Sequence, residues 1–91
     1  MEKYELALAS YTDAIRIDPT QPQAHYGLGL AYLNTKLYES TISECSIAIR
    51  LFPRYADSYN MRSTAYHMIG DDNNAATDRQ KAKSIQLSPS H

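Results

Sequence analysis

A 34-residue internal repeat is the feature of this sequence that most restricts its fold. When the 91-residue chain is compared with itself at that shift, Ala14–Ile17 coincides with Ala48–Leu51, and Pro19 coincides with Pro53. A third copy of the first alanine in this run follows at Ala82. A fixed period of about 20–50 residues is typical of stacked repeat arrays, in which each unit buries its apolar face against its neighbour.

Each period contains two helical patterns. Between Ala24 and Leu33, apolar residues recur three and four positions apart, as on one stripe of an amphipathic helix. Pro22 suits the first turn of a helix, and Pro19 and Pro53 end the helices before them. The sequence therefore predicts an all-α fold of five antiparallel helices, at about Lys3–Ile17, Pro22–Asn34, Tyr38–Leu51, Tyr55–Ile69 and Asn73–Gln86.

The residues at fixed places in each period resemble those of the tetratricopeptide repeat (TPR) family. The complete repeat supplies the family's residue types at Leu28, Gly29, Tyr32, Tyr38, Ala48 and Pro53, and it has His25 at the place of the family's aromatic residue. The sequence departs from the family's usual residues at His25, Thr41 and Cys45, and in the last repeat at Arg62, Ser63, Asp72 and Arg79. The resemblance implies helix–turn–helix units stacked as a right-handed α-solenoid.

The repeat frame divides the chain into four parts. Residues 1–21 match the second helix of a truncated first repeat, 22–55 a complete repeat, 56–89 a last repeat with a capping helix, and 90–91 a tail. The frame therefore predicts a segment of a longer solenoid, with about two and a half repeats.

Aromatic composition fits the same frame. The chain has eight Tyr, one Phe and no Trp. Most of the tyrosines fall on packing positions, where their rings fill space and their hydroxyl groups reach the rim. These tyrosines are Tyr4, Tyr11, Tyr32, Tyr38, Tyr59 and Tyr66. Tyr26 lies beside the packing stripe and Tyr55 at the repeat junction, so we expect these two to be available for other roles.

Residue types that carry catalysis or bind metals form no recognisable pattern. His25, His67 and His91 are far apart, and Cys45 has no second cysteine at CxxC spacing. We interpret Cys45 as a small core residue and His25 as a packing residue. Residues 71–74 lack the spacing of a calcium loop, and we interpret them as helix capping after a turn. The sequence predicts no enzyme activity, no metal and no cofactor.

Charge and hydropathy exclude further classes. A net charge of −1 gives no strong positive field, so we expect no nucleic-acid partner. No apolar run approaches the roughly 18–20 residues needed to cross a bilayer, so we expect no membrane partner. A single cysteine fits a reducing compartment, which predicts a cytoplasmic protein.

The resemblance also implies a binding surface. In TPR arrays the first helices of successive repeats line a concave groove that receives peptides. The groove positions of the complete repeat fall on Gln23, Tyr26, Leu30, Leu33 and Asn34. Those of the last repeat fall on Asp57, Asn60, Met61, Thr64, His67 and Met68. Apolar, aromatic and amide groups suit a peptide ligand, so the resemblance implies a non-catalytic scaffold or adaptor. The alternative is that these are ordinary solvent-facing residues.

Some family members bind the C-terminal carboxylate of chaperones through a clamp of Lys, Asn, Asn, Lys and Arg. In one register the clamp positions hold Gly27, Asp57 and Met61 in place of Asn, Lys and Arg. In the next register, Tyr26 and Leu30 replace Lys and Asn. Neither register supplies the charged donors that a carboxylate needs, so we predict no binding of an EEVD-type tail.

Two other functions stay open. Residues 1–17 carry Leu6, Leu8, Tyr11 and Ile15 without a partner helix, and such a surface could mediate a homodimer. The array could also serve as the targeting arm of a larger enzyme or co-chaperone. At the other end, we interpret Arg79, Lys81 and Lys83 as the solvated face of a capping helix, with a basic docking patch as the alternative.

Overall fold

The structure is a computed structural model that describes residues 2–87, with side chains from Glu5 onward. It consists of α1 (Glu2–Ile17), α2 (Pro22–Asn34), α3 (Tyr38–Leu51), α4 (Ala56–Met68) and α5 (Asp72–Leu87). No strand occurs within this range. The five predicted helices are confirmed, although α4 begins after Tyr55 and α5 extends one residue beyond the prediction at each end. The predicted tail, with Pro89, and the side chain of Tyr4 lie outside the described residues.

The helices form two layers. Each helix packs on its neighbours in the chain, and α2 also contacts α4 directly. Over the described range, α1 does not contact α3, and α3 does not contact α5. Because α2 and α4 contact each other while α1, α3 and α5 do not, the helices of the first layer lie closer together. The array therefore curves toward α2 and α4. These two helices therefore line its concave side. No helix of the described part is long and apolar enough to span a membrane.

Two equivalent turns reverse the chain within each repeat. Lys36 and Gly70 lie 34 positions apart, and both have left-handed backbones, with φ of 66° and 86°. In each turn the next residue's amide donates to a helical carbonyl, from Leu37 to Tyr32 and from Asp71 to Tyr66. Gly70 thus follows the C-terminal end of α4, as a glycine with a left-handed backbone commonly does. The Lys36 turn shows that the fold imposes the same conformation on a residue with a side chain.

Helix caps follow the expected chemistry in part. The Asp71 carboxylate accepts a hydrogen bond of 3.3 Å from the Asn74 amide, so Asp71 caps α5. Asp72 was an equal candidate for this role, but it is the first helical residue and pairs with His67 instead. At the end of α2, the Thr35 hydroxyl donates to the carbonyls of Ala31 and Tyr32.

Small residues allow the helices to approach closely, as the sequence predicts. A Cβ atom built on Gly29 would lie 3.3 Å from the Met61 sulfur and 3.5 Å from the Cys45 sulfur. A Cβ atom on Gly27 would overlap the ring of Tyr11. The alanines at the helix crossings are all buried, namely Ala24, Ala31, Ala48, Ala65, Ala75 and Ala82. Backbone proximity at these sites explains why the core consists mainly of small side chains.

His25 occupies a place where the family usually has an aromatic residue, and it packs as predicted. Its ring is buried. Its Nδ1 lies 2.9 Å from a carboxylate oxygen of Glu44, and its Nε2 lies 2.9 Å from the carbonyl of Pro19. Both partners carry oxygen atoms that can accept a hydrogen bond from the ring. His25 thereby links α2 to α3 and to the turn after α1.

Arg62 is the polar centre of the C-terminal half. It donates two parallel hydrogen bonds of 2.8 Å to the Asp78 carboxylate, and a third of 3.0 Å to the Ser46 hydroxyl. The guanidinium also lies over the rings of Tyr59 and Tyr66, 5.7 and 5.8 Å from their centroids. The hydrogen bonds to Asp78 raise the pKa of Arg62 above its ordinary value. This contact network joins α3, α4 and α5.

The ion pair makes a stability prediction. The side chain of Asp78 is 5% exposed, so Asp78→Ala leaves a charged guanidinium in a largely buried site without its carboxylate. We expect the free energy of unfolding to fall by about 3–5 kcal/mol, as measured by urea denaturation. The exposed pair of Asp13 and Arg16 provides the control, because Asp13→Ala should cost less than about 1 kcal/mol. Equal losses in the two variants would contradict the assigned role.

Adjacent alanines in α5 test the packing. Ala75 is fully buried, and its carbonyl accepts a hydrogen bond from Ser63, whereas Ala76 is exposed. Ala75→Leu should overfill the crossing of α4 and α5 and lower the free energy of unfolding by about 1–3 kcal/mol. Ala76→Leu, the matched control, should change it by less than about 0.5 kcal/mol. A neutral Ala75→Leu would show that the crossing is wider than described.

Cys45 makes a prediction about reactivity and pH. It is fully buried, as expected for a core residue, and burial raises the pKa of its thiol from 9.0 to about 12. At pH 8 the folded protein should react with a thiol reagent ~1000-fold more slowly than the unfolded chain. Since only the unfolded thiol ionises between pH 9.0 and about 12, its contribution to stability should decrease as pH rises through that window. Rapid labelling of the folded protein would contradict this burial.

Candidate binding groove

The predicted groove residues of α2 form one stripe along the helix. Gln23, Tyr26, Leu30 and Asn34 are spaced three and four positions apart, so they share a face. Gln23, Leu30 and Asn34 are exposed, and Tyr26 is half-buried. Leu33, beside this stripe, is half-buried. Leu30 is 43% exposed, so its apolar side chain is accessible to a ligand.

An apolar cavity lies at the N-terminal end of this stripe. It has a volume of about 460 Å³ and is lined by Pro22, Gln23, Phe52, Pro53, Arg54 and Tyr55. Phe52 is 53% exposed, although it is the one phenylalanine of the chain. The turn after α3 therefore holds an aromatic ring at the surface beside the start of α2. Such a concave, mostly apolar site can accept an apolar side chain.

Tyr26 connects this cavity to the middle of α2. Its ring lies 5.5 Å from the ring of Tyr55, centroid to centroid, with the planes tilted by 55°. This arrangement is typical of favourable aromatic pairs. Burial, with a smaller effect of the Asp57 carboxylate, raises the pKa values of both tyrosines. Both hydroxyl groups are therefore neutral donors near pH 7.

A second, smaller apolar cavity lies toward the C-terminal end of α2. It has a volume of about 120 Å³ and lies between α1 and α2, with the lining Ala7, Tyr11, Gly27, Leu30, Ala31 and Asn34. Gly27 has no Cβ atom, so the ring of Tyr11 can pack directly on the backbone of α2. Gly27 and this ring form the floor of the cavity. The Asn34 amide is the polar group at its edge. Tyr26 lies on α2 between the residues that line the two cavities.

The predicted residues of α4 are less organised. Asp57, Asn60, Thr64, His67 and Met68 are exposed. The Thr64 hydroxyl donates to the Asn60 carbonyl at 3.1 Å, and His67 pairs with a carboxylate of the following helix at 3.0 Å. These contacts hold Thr64 and His67 within their own repeat. Asn60 instead lines a polar cavity between α4 and α5.

Met61 was wrongly assigned to the groove lining. It is only 6% exposed, and its sulfur lies against Gly29 between α2 and α4. The absence of a side chain at Gly29 creates the space that Met61 fills. Met61 is therefore a core residue that joins the two inner helices. The correction follows from a helix crossing, which the repeat pattern alone does not reveal.

Sequence reasoning did not identify the turn residues Phe52, Pro53 and Arg54 as part of the site. Pro53 was interpreted as a helix stop, which it is, since α3 ends at Leu51. The available signal was the unusual place of Phe52, an aromatic residue next to a turn proline. Over the described residues, no group of three or more potential metal-ligating side chains occurs.

Comparison with known proteins places this geometry in context. The family model described as "TPR repeat" matches residues 1–36. Hsc70-interacting protein 1 of Drosophila melanogaster is 33% identical over 81 residues, which cover 89% of this chain and 22% of that protein. Serine/threonine-protein phosphatase T of Trypanosoma brucei brucei is 29% identical over 87 residues, covering 96% of this chain and 18% of that protein. The chain therefore spans about a fifth of the length of these curated relatives.

This chain covers a larger share of one solved structure than of these relatives. The second TPR of Spaghetti (RPAP3), bound to the HSP90 peptide SRMEEVD, is 30% identical to this chain and superposes with a TM-score of 0.89. The alignment covers 91% of this chain and 77% of that one. The 34-residue period, the five helices in two layers and this similarity agree. The chain belongs to the tetratricopeptide repeat family.

Proposed function

We propose that this chain is a peptide-binding module that receives an extended segment of a partner protein along α2. The observation that carries the proposal is the pair of apolar cavities at the two ends of one exposed stripe on the concave side. Tyr26 lies between them and offers both an aromatic face and a hydroxyl donor. A stripe of this kind can hold apolar side chains at both ends and hydrogen-bond the backbone between them.

The length of the stripe sets the length of the ligand. Gln23 and Asn34 lie 11 positions apart, which corresponds to about 16 Å along a helix. An extended peptide covers that distance with about five residues. Two apolar side chains four positions apart in such a peptide would lie about 13 Å from each other, a separation that suits the two cavities. We therefore propose a ligand with this spacing.

The family comparison supports a peptide ligand, since the second TPR of Spaghetti was solved with the HSP90 peptide SRMEEVD. For this chain we keep the prediction that an EEVD-type tail is not the ligand. Arg54 lines the cavity at the N-terminal end, but the α2 stripe itself contains no cation, and the nearby Asp57 adds negative charge beside Tyr26 and Tyr55. Met61 is buried at the place where the clamp would need an Arg. The uncharged stripe, the charge of Asp57 and the burial of Met61 each disfavour a carboxylate-rich segment along α2.

For the protein as a whole, we propose a non-catalytic scaffold or adaptor in the cytoplasm, with Cys45 kept reduced. We also propose that residues 22–55 form the complete repeat and residues 56–89 the last repeat. The phosphatase relative supports the alternative of a targeting arm within a larger enzyme.

Self-association is a second candidate. Leu6 is 69% exposed and Ile17 is 84% exposed, so α1 presents apolar surface at both ends. A homodimer through residues 1–17 would cover it. Sedimentation equilibrium at increasing concentration tests this, and a monomer throughout would exclude it for this chain.

The groove proposal is tested with blocked heptapeptides that carry two leucines four positions apart. Fluorescence polarisation should show saturable binding that is weaker for peptides with adjacent leucines. Tyr26→Ala and Leu30→Ala should each weaken binding about tenfold, because each removes part of the lining (about 1.4 kcal/mol). Thr77→Ala, an exposed residue of α5, is the control and should bind as the native protein does.

Circular dichroism separates binding from folding in this experiment. Both groove variants should keep the native helix content. Unchanged affinity in both variants would contradict the proposal, as would binding that does not depend on the leucine spacing. A collapse of thermal stability in Tyr26→Ala would show that the ring belongs to the core.

A further inference from the structure

A polar cavity between α4 and α5 is separate from the α2 stripe. It has a volume of about 490 Å³ and is lined by Asn60, Arg79, Gln80, Lys83 and Gln86. Arg79 and Lys83 are four residues apart, so both cations lie on the same face of α5. The remaining lining groups are amides. The cavity therefore combines two positive charges with neutral groups that can both donate and accept hydrogen bonds.

A hydrogen bond to a buried serine holds the Arg79 guanidinium in place. Its Nη1 donates to the Ser63 hydroxyl at 3.3 Å, and this hydroxyl in turn donates to the Ala75 carbonyl at 2.9 Å. Ser63 is buried, so the contact ties the guanidinium to the body of the protein. A guanidinium carries five N–H groups, and one contact leaves several of them available. Arg79 is thus oriented in advance for a ligand, which lowers the entropic cost of binding.

The positive charge of the cavity is not neutralised by nearby acids. In the part of the chain that the structure describes, no carboxylate oxygen lies within 4.0 Å of the charged nitrogens of Arg79 or Lys83. Asp78 is next to Arg79 in sequence, but its carboxylate is buried and bound by Arg62. Asp57 lies toward the tyrosines of the groove, since its charge raises the pKa values of Tyr26 and Tyr55.

The 34-residue period identifies the residues that occupy the same position as Arg79 in the other two outer helices. Arg79 stands 34 and 68 positions after Cys45 and Tyr11, residues that pack against neighbouring inner helices. On α5 the equivalent surface is exposed and carries a cation. Covering it with an apolar helix would bury an unpaired guanidinium, which is strongly unfavourable. An occupant that brings carboxylates would pair this charge and so suits the face best.

We propose that the cavity between α4 and α5 binds an acidic segment of a partner protein, with carboxylates on Arg79 and Lys83 and backbone groups on the amides of Asn60 and Gln80. Bidentate contact with Arg79 gives such a segment a defined register. This assignment replaces the interpretation of the basic residues as a solvated cap. It does not rest on the α2 stripe, with which the cavity shares no lining residue.

The neighbouring lysines of α5 provide a matched test. Lys83 lines the cavity, whereas Lys81 is exposed on the same helix and is not part of the lining. The probe is a fluorescent peptide with four glutamates separated by single glycines, blocked at both ends so that it has no terminal carboxylate. We expect saturable binding at 20 mM salt that weakens at 150 mM salt. Lys83→Glu should weaken binding at least tenfold, and Lys81→Glu less than threefold.

Further controls make the result decisive. A peptide with glutamine in place of each glutamate should not bind, and Lys83→Gln should give an intermediate affinity with native helix content. Tyr26→Ala should bind the acidic peptide as tightly as the native protein, which distinguishes this site from the α2 groove. Loss of binding in Tyr26→Ala would place the peptide in the groove and overturn the proposal.

Three other results would also overturn it. Equal weakening by Lys81→Glu and Lys83→Glu would show general charge attraction rather than a site. Absence of saturation up to 1 mM peptide at 20 mM salt would show that the cavity does not bind carboxylates. Tighter binding of an oligothymidylate with the same number of negative charges would indicate a phosphate-binding surface instead.

Discussion

The ion pair of Arg62 and Asp78 is the interaction on which the C-terminal half of this array depends. Arg62 stands where the repeat pattern usually has a leucine, and it contacts α3 through Ser46 and α5 through Asp78. A buried charge tolerates few arrangements, because each of its hydrogen bonds must be satisfied. Small-residue packing sets how closely the three helices approach, and the ion pair sets how they are aligned.

The other departures from the family pattern follow the same logic. His25 contacts Glu44 and the Pro19 carbonyl, where an aromatic ring would only fill space. The Thr41 hydroxyl donates to the Gly29 carbonyl across a helix contact, and the Ser63 hydroxyl donates to the Ala75 carbonyl at the equivalent place in the next repeat. These polar core residues therefore have partners on a neighbouring helix, whereas the buried Ser58 hydroxyl has no hydrogen-bond partner among the described residues. Such pairs stabilise one alignment over others, since a shifted helix would leave them unsatisfied.

This internal arrangement leaves two surfaces with different chemistry. Along α2 the surface is mainly apolar and aromatic, with Arg54 at one end, whereas between α4 and α5 it is polar and positive. The Asp78 carboxylate is buried and paired with Arg62, whereas the neighbouring Arg79 is exposed on another face of α5. A partner that offers apolar residues to the first surface and acidic residues to the second would contact both ends of the array.

The sequence by itself determined the helices and their order, because period, proline and glycine signals act over a few residues, whereas the proposed groove positions rest on the family resemblance. Only the tertiary structure decided which side chains reach that face. The repeat pattern places Met61 on the surface of α4. Gly29 has no side chain, however, and the space beside it holds the Met61 side chain in the core. Phe52 has an apolar aromatic side chain of the kind found in cores, yet the turn before Pro53 keeps it at the surface. Burial depends on which backbone lies opposite, and helix-to-helix distance is set by residues far apart in the chain.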